Sequence, residues 1–313
     1  MKAIILSEFG GVDKLIAAEL PVPVVREDEV LIQVKAISIN PVDVKTRAGS
    51  AMAGHLKDNR PLILGWDIAG VIVEIGARVQ KFKVGDEVFG MVNFLGHGKG
   101  YAEYVAAPQD HIVLKPAGIS YEEAAGATLA ALTAWQLLKH YAKITKGDRI
   151  LIQAASGGVG HYAVQMAKYL GAYVIGVSSA KNRGFVLDIG ADEHIAYDSQ
   201  NFEDAIEDVD FVIDAFAFNS LFKSLAVVKP GGKIISLLPM ISDELKQQAK
   251  EKGVEVHYAL VSSNGEDMHA ISYLLEKGIV KSHIYKVFPF GEMAVAHLEM
   301  EKGRTVGKII VKI

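Results

Sequence analysis

The chain has 313 residues, of which 50% are hydrophobic and 22% are charged, and its formal net charge is −4. This apolar content can build a large core, so a globular protein with two domains is expected. A slightly acidic chain without runs of Lys and Arg has no field that would hold a polyanion, which argues against nucleic-acid binding. Cysteine is absent, and this excludes disulfides, thiolate zinc sites and a cysteine nucleophile.

The first part of the chain, up to about Pro116, consists of short β-rich runs broken by turn signals, which predicts a compact, mostly β domain. The four-residue apolar stretch near the start is too short for a signal-peptide core, and no apolar run approaches the length of a membrane span. We therefore expect a cytoplasmic protein without a membrane partner. The predicted strands cover residues 2–6, 29–37, 67–76, 86–92 and 102–107.

From about Tyr121 predicted strands alternate with amphipathic helices, a pattern typical of a parallel sheet with helices on both faces. One helix is bounded by Ser242 and Gly253, a serine cap and a glycine stop. A further helix is predicted at 269–278 and a last strand at 307–313. The strands of this second part are expected at residues 149–154, 173–177, 209–216, 232–238 and 254–260.

The most informative segment, residues 150–172, is a strand that runs into a glycine-rich turn and then a helix. Such glycines let the backbone approach a pyrophosphate and let the helix pack tightly on the sheet. The unpaired N–H groups and the dipole at the start of the helix attract negative charge. Together with the further βα units, this predicts a dinucleotide-binding domain of the Rossmann type; the alternative is a turn whose glycines serve helix packing alone. The turn residues expected to contact the cofactor are Ser156, Gly157, Gly158 and Val159.

The same turn permits another interpretation, because Ala154, Ser156 and Gly158 form an A-x-S-x-G pattern similar to the nucleophile elbow of α/β-hydrolases. Ser156 would then be an acylated nucleophile and the protein an esterase. The elbow has no use for three glycines in these places, and no histidine stands out as a base, so dinucleotide binding is favoured. The candidate bases would be His257, His269, His283 and His297.

Long ordered motifs occur along the whole chain, at residues 39–49, 65–76, 83–91, 100–108, 122–138, 154–160, 189–198, 229–236 and 307–313. With these motifs the chain resembles the medium-chain dehydrogenase/reductase superfamily, and within it the zinc-free quinone-oxidoreductase branch. The resemblance implies a GroES-like substrate domain made of residues 1–120 and 262–313, and a Rossmann domain at residues 121–261. It also implies a homodimer in which the last Rossmann strands, around residues 254–260, pair across a two-fold axis.

The activity implied by the resemblance is hydride transfer from NADPH to a quinone or to an activated alkene such as an enone or alkenal. Zeta-crystallins are similar as well, so a non-catalytic NADPH-binding protein is the alternative. Zinc-dependent members of the superfamily carry Gly-His-Glu where this chain has Gly65, Trp66 and Asp67. None of the ten histidines falls in a recognisable metal-ligand spacing, so no catalytic metal is expected. Trp66 is expected either to shape the substrate pocket or to pack in the core.

Three residues are candidates for the chemistry. Asn40 and Asp43 follow the strand at 29–37, where the resemblance places polar groups beside the nicotinamide and the acceptor. Asn40 could stabilise negative charge on the acceptor's oxygen, although Asn-Pro followed by Asp is also ordinary turn chemistry. Thr128 matches a position on the nicotinamide side, or it is a helix-end hydroxyl that bonds back to its own backbone.

The end of the second Rossmann strand predicts the cofactor. NAD-specific sites place Asp or Glu there to bind the ribose 2′-hydroxyl. This chain instead has Ser178 and Ser179, followed by Lys181 and Arg183, which can give charge-assisted hydrogen bonds to a 2′-phosphate. NADPH is therefore expected. By resemblance or by their place at strand ends, the remaining candidate cofactor contacts are Tyr197, Phe216, Ala217, Leu237, Leu238, Pro239 and Lys308. For the apolar residues among them, packing in the core is the alternative.

Overall fold

The computed structural model describes residues 1–313. Strands β1 to β15 span Lys2–Leu6, Leu15–Glu19, Glu29–Ile39, Asp67–Ile75, Glu87–Met91, Tyr104–Pro108, Ile112–Leu114, Arg149–Ile152, Tyr173–Ser178, Glu193–Ala196, Val209–Asp214, Val228–Ser236, Glu255–Tyr258, Ile284–Pro289 and Lys308–Lys312. Helices α1 to α10 span Pro41–Arg47, Ala53–Leu56, Tyr121–Gly126, Leu129–Gln136, Gly160–Tyr169, Arg183–Asp188, Asn219–Val227, Asp243–Lys252, Gly265–Glu276 and Met293–Glu301. No helix combines the length and the apolar character that crossing a bilayer would require.

The chain divides into two compact units, one made of residues 1–132 and 262–313 and the other of residues 133–261. The first division falls later than the predicted boundary at residue 120. Helix α3 packs against β3 and β4 and therefore stays with the first unit. Both ends of the chain belong to that unit.

The unit of residues 133–261 contains a parallel sheet with the strand order β10-β9-β8-β11-β12-β13. The register pairs Leu151 of β8 with Ile175 of β9 on one side and with Val212 of β11 on the other. All three side chains are buried in the apolar core, as is typical of a parallel sheet covered on both faces. The predicted parallel sheet is confirmed. The short strand β10 is an addition that the sequence pattern does not predict.

The other unit contains a seven-stranded mixed sheet in the order β14-β15-β3-β4-β5-β7, with β6 also paired to β3, and a separate β1-β2 pair. Strand β3 is eleven residues long and almost wholly buried. Its antiparallel partners are β4, β6 and the C-terminal strand β15. The predicted GroES-like, mostly β domain is confirmed, and β3 is the strand that brings the two ends of the chain together.

Local signals set most of the helix ends. Helix α8 has the predicted bounds, because the Ser242 hydroxyl accepts the N–H of Leu245 and Gly253 adopts a left-handed conformation with φ of 71°. Helix α9 begins at Gly265, earlier than predicted, because the side chain of Asn264 caps it.

Candidate functional site

The turn after β8 brings a strand and a helix into close contact. A Cβ atom built on Gly160 would lie 2.1 Å from the carbonyl oxygen of Ala154, whereas one on Gly157 would lie 3.1 Å from the same atom. Ala154 itself has a positive φ of 50°, a conformation that few residues other than glycine adopt. Glycine is therefore required at position 160, where α5 starts at the carboxyl end of β8. This is where a Rossmann fold binds a pyrophosphate.

Ser156 is buried, and its hydroxyl accepts a hydrogen bond of 3.0 Å from the side-chain amide of Asn182. A serine nucleophile would instead donate its proton to a histidine. One of the candidate bases, His297, bonds to Tyr101 in the other unit. These contacts speak against the esterase interpretation. Asn182 is a residue that the sequence analysis missed, although it lies between the two predicted cations of the loop after β9.

The predicted 2′-phosphate residues lie together at the ends of β9 and β10. The register pairs Ser178 with Ala196, and the N–H of Tyr197 donates to the carbonyl of Ser178 at 3.1 Å. The hydroxyl of Ser178 contacts Nε2 of His194 at 2.8 Å, and Arg183 donates to the carbonyl of His194 at 3.4 Å. Parallel pairing of two strands thus joins residues that are distant in sequence.

Two features of this loop suit an anionic ligand. The Ser179 hydroxyl is buried and has no hydrogen-bond partner, which is costly unless a ligand supplies one. Lys181 and Arg183 are exposed, and so is the ring of Tyr197. Burial and the charge of Arg183 lower the pKa of His194, so this histidine adds no positive charge at neutral pH. The two cations and the free hydroxyl fit a phosphate group.

The turn after β11 carries Phe216 and Ala217. Its conformation is held by Asp214, a buried residue whose Oδ1 accepts the N–H groups of both residues, at 2.9 and 2.8 Å. The other oxygen, Oδ2, accepts from Gln153 and Ser224. The sequence analysis missed Asp214, the acidic residue that ends strand β11.

The predicted residues Leu237, Leu238 and Pro239 follow β12 directly. The N–H of Leu237 donates to the carbonyl of Asp214 at 2.9 Å, and the Ser236 hydroxyl donates to the carbonyl of Leu238 at 2.7 Å. This segment is therefore joined to the turn after β11. Both lie at the carboxyl end of the parallel sheet, the edge at which open sheets bind ligands.

A second set of polar residues lies inside the unit that contains the chain ends. Asn40 lies between the end of β3 and the start of α1, and its N–H donates to Oδ2 of Asp43 at 2.7 Å. Its side-chain Nδ2 donates to Oδ2 of Asp67 at 2.6 Å, and its Oδ1 accepts from the ammonium group of Lys308. All four side chains are at most 2% exposed. We call these residues, Asn40, Asp43, Asp67 and Lys308, the buried polar cluster.

Asp67 is the member of this cluster that the sequence analysis considered only as a replacement for a metal ligand. Its Oδ1 accepts the backbone N–H of Leu129 at 3.1 Å, so Asp67 links Asn40 to the start of α4. The neighbouring Thr128 donates its hydroxyl to the carbonyl of Ala125 at 2.7 Å. Thr128 thus bonds back to its own backbone, the second of the two interpretations given for it.

Burial sets the protonation of the cluster. Burial, with the negative charge of Asp67 added, raises the pKa of Asp43 to about 8. The single ammonium group of Lys308 faces two buried carboxyl groups, and an unpaired buried charge is costly. Asp43 is therefore protonated at neutral pH. Asp67 and Lys308 attract each other electrostatically, and the side chain of Asn40 bridges them. Lys308, predicted as a cofactor contact, donates its ammonium group to Oδ1 of Asn40.

Two further contacts, one of them buried and the other partly exposed, lie beside the cluster. The Tyr101 hydroxyl is 2.9 Å from Nε2 of His297, and Arg47 forms an ion pair with Glu301. Burial and the charge of Arg47 lower the pKa of His297 to about 3, so it is neutral. Trp66 is buried, with its indole N–H donated to the carbonyl of Gly96, so it packs in the core.

The arrangement does not fit a zinc site. The structure contains no group of three or more His, Cys, Asp or Glu side chains placed to hold a metal ion. Both carboxylate oxygens of Asp67 are occupied by N–H donors, from Asn40 and Leu129. The loop after β9 and the turn after β8 do fit a dinucleotide, because an unpartnered buried hydroxyl and a close strand-to-helix approach are both present.

Residues 26–117 match the family model of the alcohol dehydrogenase GroES-like domain, and residues 189–311 match that of the zinc-binding dehydrogenases. The chain belongs to the medium-chain dehydrogenase/reductase superfamily, in its quinone-oxidoreductase branch.

Individual relatives match the chain over almost its whole length. It is 34% identical to the chloroplastic NADPH-dependent alkenal/one oxidoreductase of Arabidopsis thaliana, over 99% of this chain and 79% of the relative. It is 31% identical to the quinone oxidoreductase of Sus scrofa, over 99% of this chain and 97% of the relative. Among solved structures, a quinone oxidoreductase from Coxiella burnetii has 36% identity and a TM-score of 0.94, and covers 100% of this chain and 99% of its own.

Proposed function

We propose that this protein is an NADPH-dependent oxidoreductase that transfers hydride to a quinone or to an alkene conjugated with a carbonyl group, without zinc. The observation that carries the proposal is the glycine turn before α5 together with the basic, acid-poor end of β9. The activities for which the relatives are named, quinone reduction and alkenal/one reduction, agree with it.

The proposal that the protein binds NADPH is supported by residues at the carboxyl ends of the parallel strands. Backbone N–H groups at the start of α5 would bind the pyrophosphate, and Ser156, Gly157, Gly158 and Val159 form the turn around it. Ser179, Lys181 and Arg183 would hold the 2′-phosphate, the group that distinguishes NADPH from NADH. Bound NADPH would supply the hydride. Phe216, Ala217 and the segment Leu237–Pro239 complete the cofactor contacts.

The acceptor half rests on the buried polar cluster. One Nδ2 hydrogen of Asn40 is bound by Asp67 and its Oδ1 is bound by Lys308, so the orientation of the amide is fixed. The second Nδ2 hydrogen is the one that can be offered to a carbonyl oxygen. Hydride addition to a quinone or enone places negative charge on that oxygen, and a fixed donor near an ammonium group stabilises it.

Oxidation of NADPH, followed by its loss of absorbance, tests the proposal against a panel of quinones, enones and alkenals. Turnover with at least one carbonyl-conjugated acceptor is expected. The alternative, a non-catalytic NADPH-binding protein, predicts that NADPH fluorescence changes on binding while no acceptor is reduced. Labelling of Ser156 by a fluorophosphonate would instead support a hydrolase.

The oligomeric state and the location are part of the proposal. Strand β13 is an edge strand, paired only with β12, and Tyr258 at its end is exposed. We propose that this edge pairs with its copy in a homodimer, which light scattering after size-exclusion chromatography tests. Cell fractionation tests the proposed cytoplasmic location.

A further inference from the structure

The loop proposed to hold the 2′-phosphate also contains a negative charge. The Oδ1 atom of Asp198, just past the end of β10, accepts a hydrogen bond of 2.9 Å from the backbone N–H of Ala180. Ala180 lies between Ser179 and Lys181, in the middle of the loop after β9. The carboxylate of Asp198 therefore occupies a donor in the segment that would face the phosphate.

Asp198 lies close enough to Arg183 for the two charges to act on the same neighbouring side chain. Arg183 and Asp198 act on the same imidazole, since Arg183 lowers the pKa of His194 and Asp198 raises it. The Ser179 hydroxyl, buried and unpartnered, lies next to the occupied N–H of Ala180. The loop thus offers a phosphate one unused hydroxyl and two cations, and opposes it with one carboxylate.

We propose that Asp198 is a specificity-determining residue that limits the preference of this protein for NADPH over NADH. A carboxylate repels a phosphate dianion and competes with it for the N–H of Ala180. The same carboxylate tolerates a ribose 2′-hydroxyl, which can donate a hydrogen bond to it. The inference rests on the proposed function only in placing the ribose of the cofactor at this loop.

Nucleotide fragments isolate this effect from catalysis. Calorimetric titration of the full chain with adenosine 2′,5′-bisphosphate and with AMP compares ligands that differ in the 2′-phosphate alone. Asp198→Asn removes the charge but keeps an oxygen that can accept from Ala180, and Asp198→Ala also frees the N–H. The matched control is Asp188→Asn, which removes the same charge from an exposed position at the end of α6.

Asp198→Asn is expected to bind the bisphosphate about five- to tenfold more tightly than the wild type, with Asp198→Ala equal or tighter still. Binding of AMP is expected to change by less than about twofold in either variant. Asp188→Asn should leave both affinities at the wild-type value. High salt should reduce the gain, because the repulsion is screened at an exposed site.

An unchanged or weakened affinity of both Asp198 variants for the bisphosphate overturns the role of Asp198. Failure of the proposed cofactor site looks different. In that case the wild type does not distinguish the bisphosphate from AMP, and Lys181→Ala changes neither affinity. A thermal melt of each variant confirms that the compared proteins are folded.

Discussion

Asn40 directly follows β3, Asp67 begins the neighbouring antiparallel strand β4, and a hydrogen bond of 2.6 Å joins their side chains inside the protein. This bond determines which end of the Asn40 carboxamide faces Lys308. A buried amide with a defined orientation is a donor of fixed direction, which is what stabilisation of a developing oxyanion requires. The pairing of β3 with β4 thus fixes the direction of the donor that the proposed reaction uses.

Replacing Asn40 tests this connection directly. Asn40→Ala is expected to lower kcat with the best quinone or enone by about 100-fold, the effect typical of one lost oxyanion donor. The Kd for NADPH should change little, because the cofactor contacts lie in the other unit. Asn59→Ala, a change in a half-buried loop asparagine, serves as the control. A wild-type rate for Asn40→Ala would assign Asn40 to turn structure alone.

The opposite charges of Asp67 and Lys308, bridged by the side chain of Asn40, predict a coupled loss of stability. Lys308→Met leaves Asp67 without its cation, and Asp67→Asn leaves the ammonium group unpaired, so each change should cost about 3–5 kcal/mol of unfolding free energy. The double variant should cost clearly less than the two losses added together. Urea unfolding measures all three. Additive losses would show that the two groups do not interact.

The raised pKa of Asp43 predicts a pH dependence of stability. The native carboxyl keeps its proton up to about pH 8, whereas the unfolded one ionises near pH 3.8. Folding therefore takes up a proton between these values, and the contribution of this group to stability falls as pH rises from about 4 to about 8. The slope reaches at most about 1.4 kcal/mol per pH unit.

Asp43→Asn imitates the protonated carboxyl, because its side-chain oxygen can still accept from the N–H of Asn40. Denaturant unfolding across this pH range should therefore show a shallower decline for Asp43→Asn than for the wild type. Parallel profiles for the two proteins would mean that Asp43 is ionised in the native state.

The turn before α5 gives a prediction with a control three residues away. Gly160→Ala forces a Cβ atom against the carbonyl oxygen of Ala154, and is expected to destabilise the protein by about 1–3 kcal/mol and to weaken NADPH binding. Gly157→Ala has more room at the same atom and should have a much smaller effect. Thermal melts and cofactor fluorescence compare the pair. If Gly160→Ala and Gly157→Ala lowered stability and NADPH binding equally, the close contact at position 160 would not be what requires glycine there.

Lys181 tests the cofactor preference. Lys181→Ala is expected to raise the KM for NADPH about tenfold while barely changing that for NADH, since one charge-assisted hydrogen bond to the phosphate is lost. Lys143→Ala, which removes a lysine elsewhere in the same unit, is the charge-matched control. Equal losses with both cofactors would show that Lys181 does not read the 2′-phosphate.

Local sequence was sufficient to predict the parallel sheet, the glycine turn and the ends of α8. Each depends on residues close together in the chain: an apolar run, a strand-turn-helix order, and the caps Ser242 and Gly253. The basic end of β9 is equally local. Such features could be predicted because hydrophobic periodicity and capping act within a few residues.

The buried polar cluster depended on the tertiary structure. Its bonds join Asn40 to residues 27 and 268 positions away. They form because Asp67 pairs opposite Ser38, and Ile309 opposite Ile39. Asn40, just past the end of β3, therefore meets the first residues of β4 and β15 at the same end of the sheet. A slip of one residue in either register would turn these side chains to the other face. Pairing between distant strands is fixed by the packing of the whole sheet, and no local pattern in the sequence specifies it.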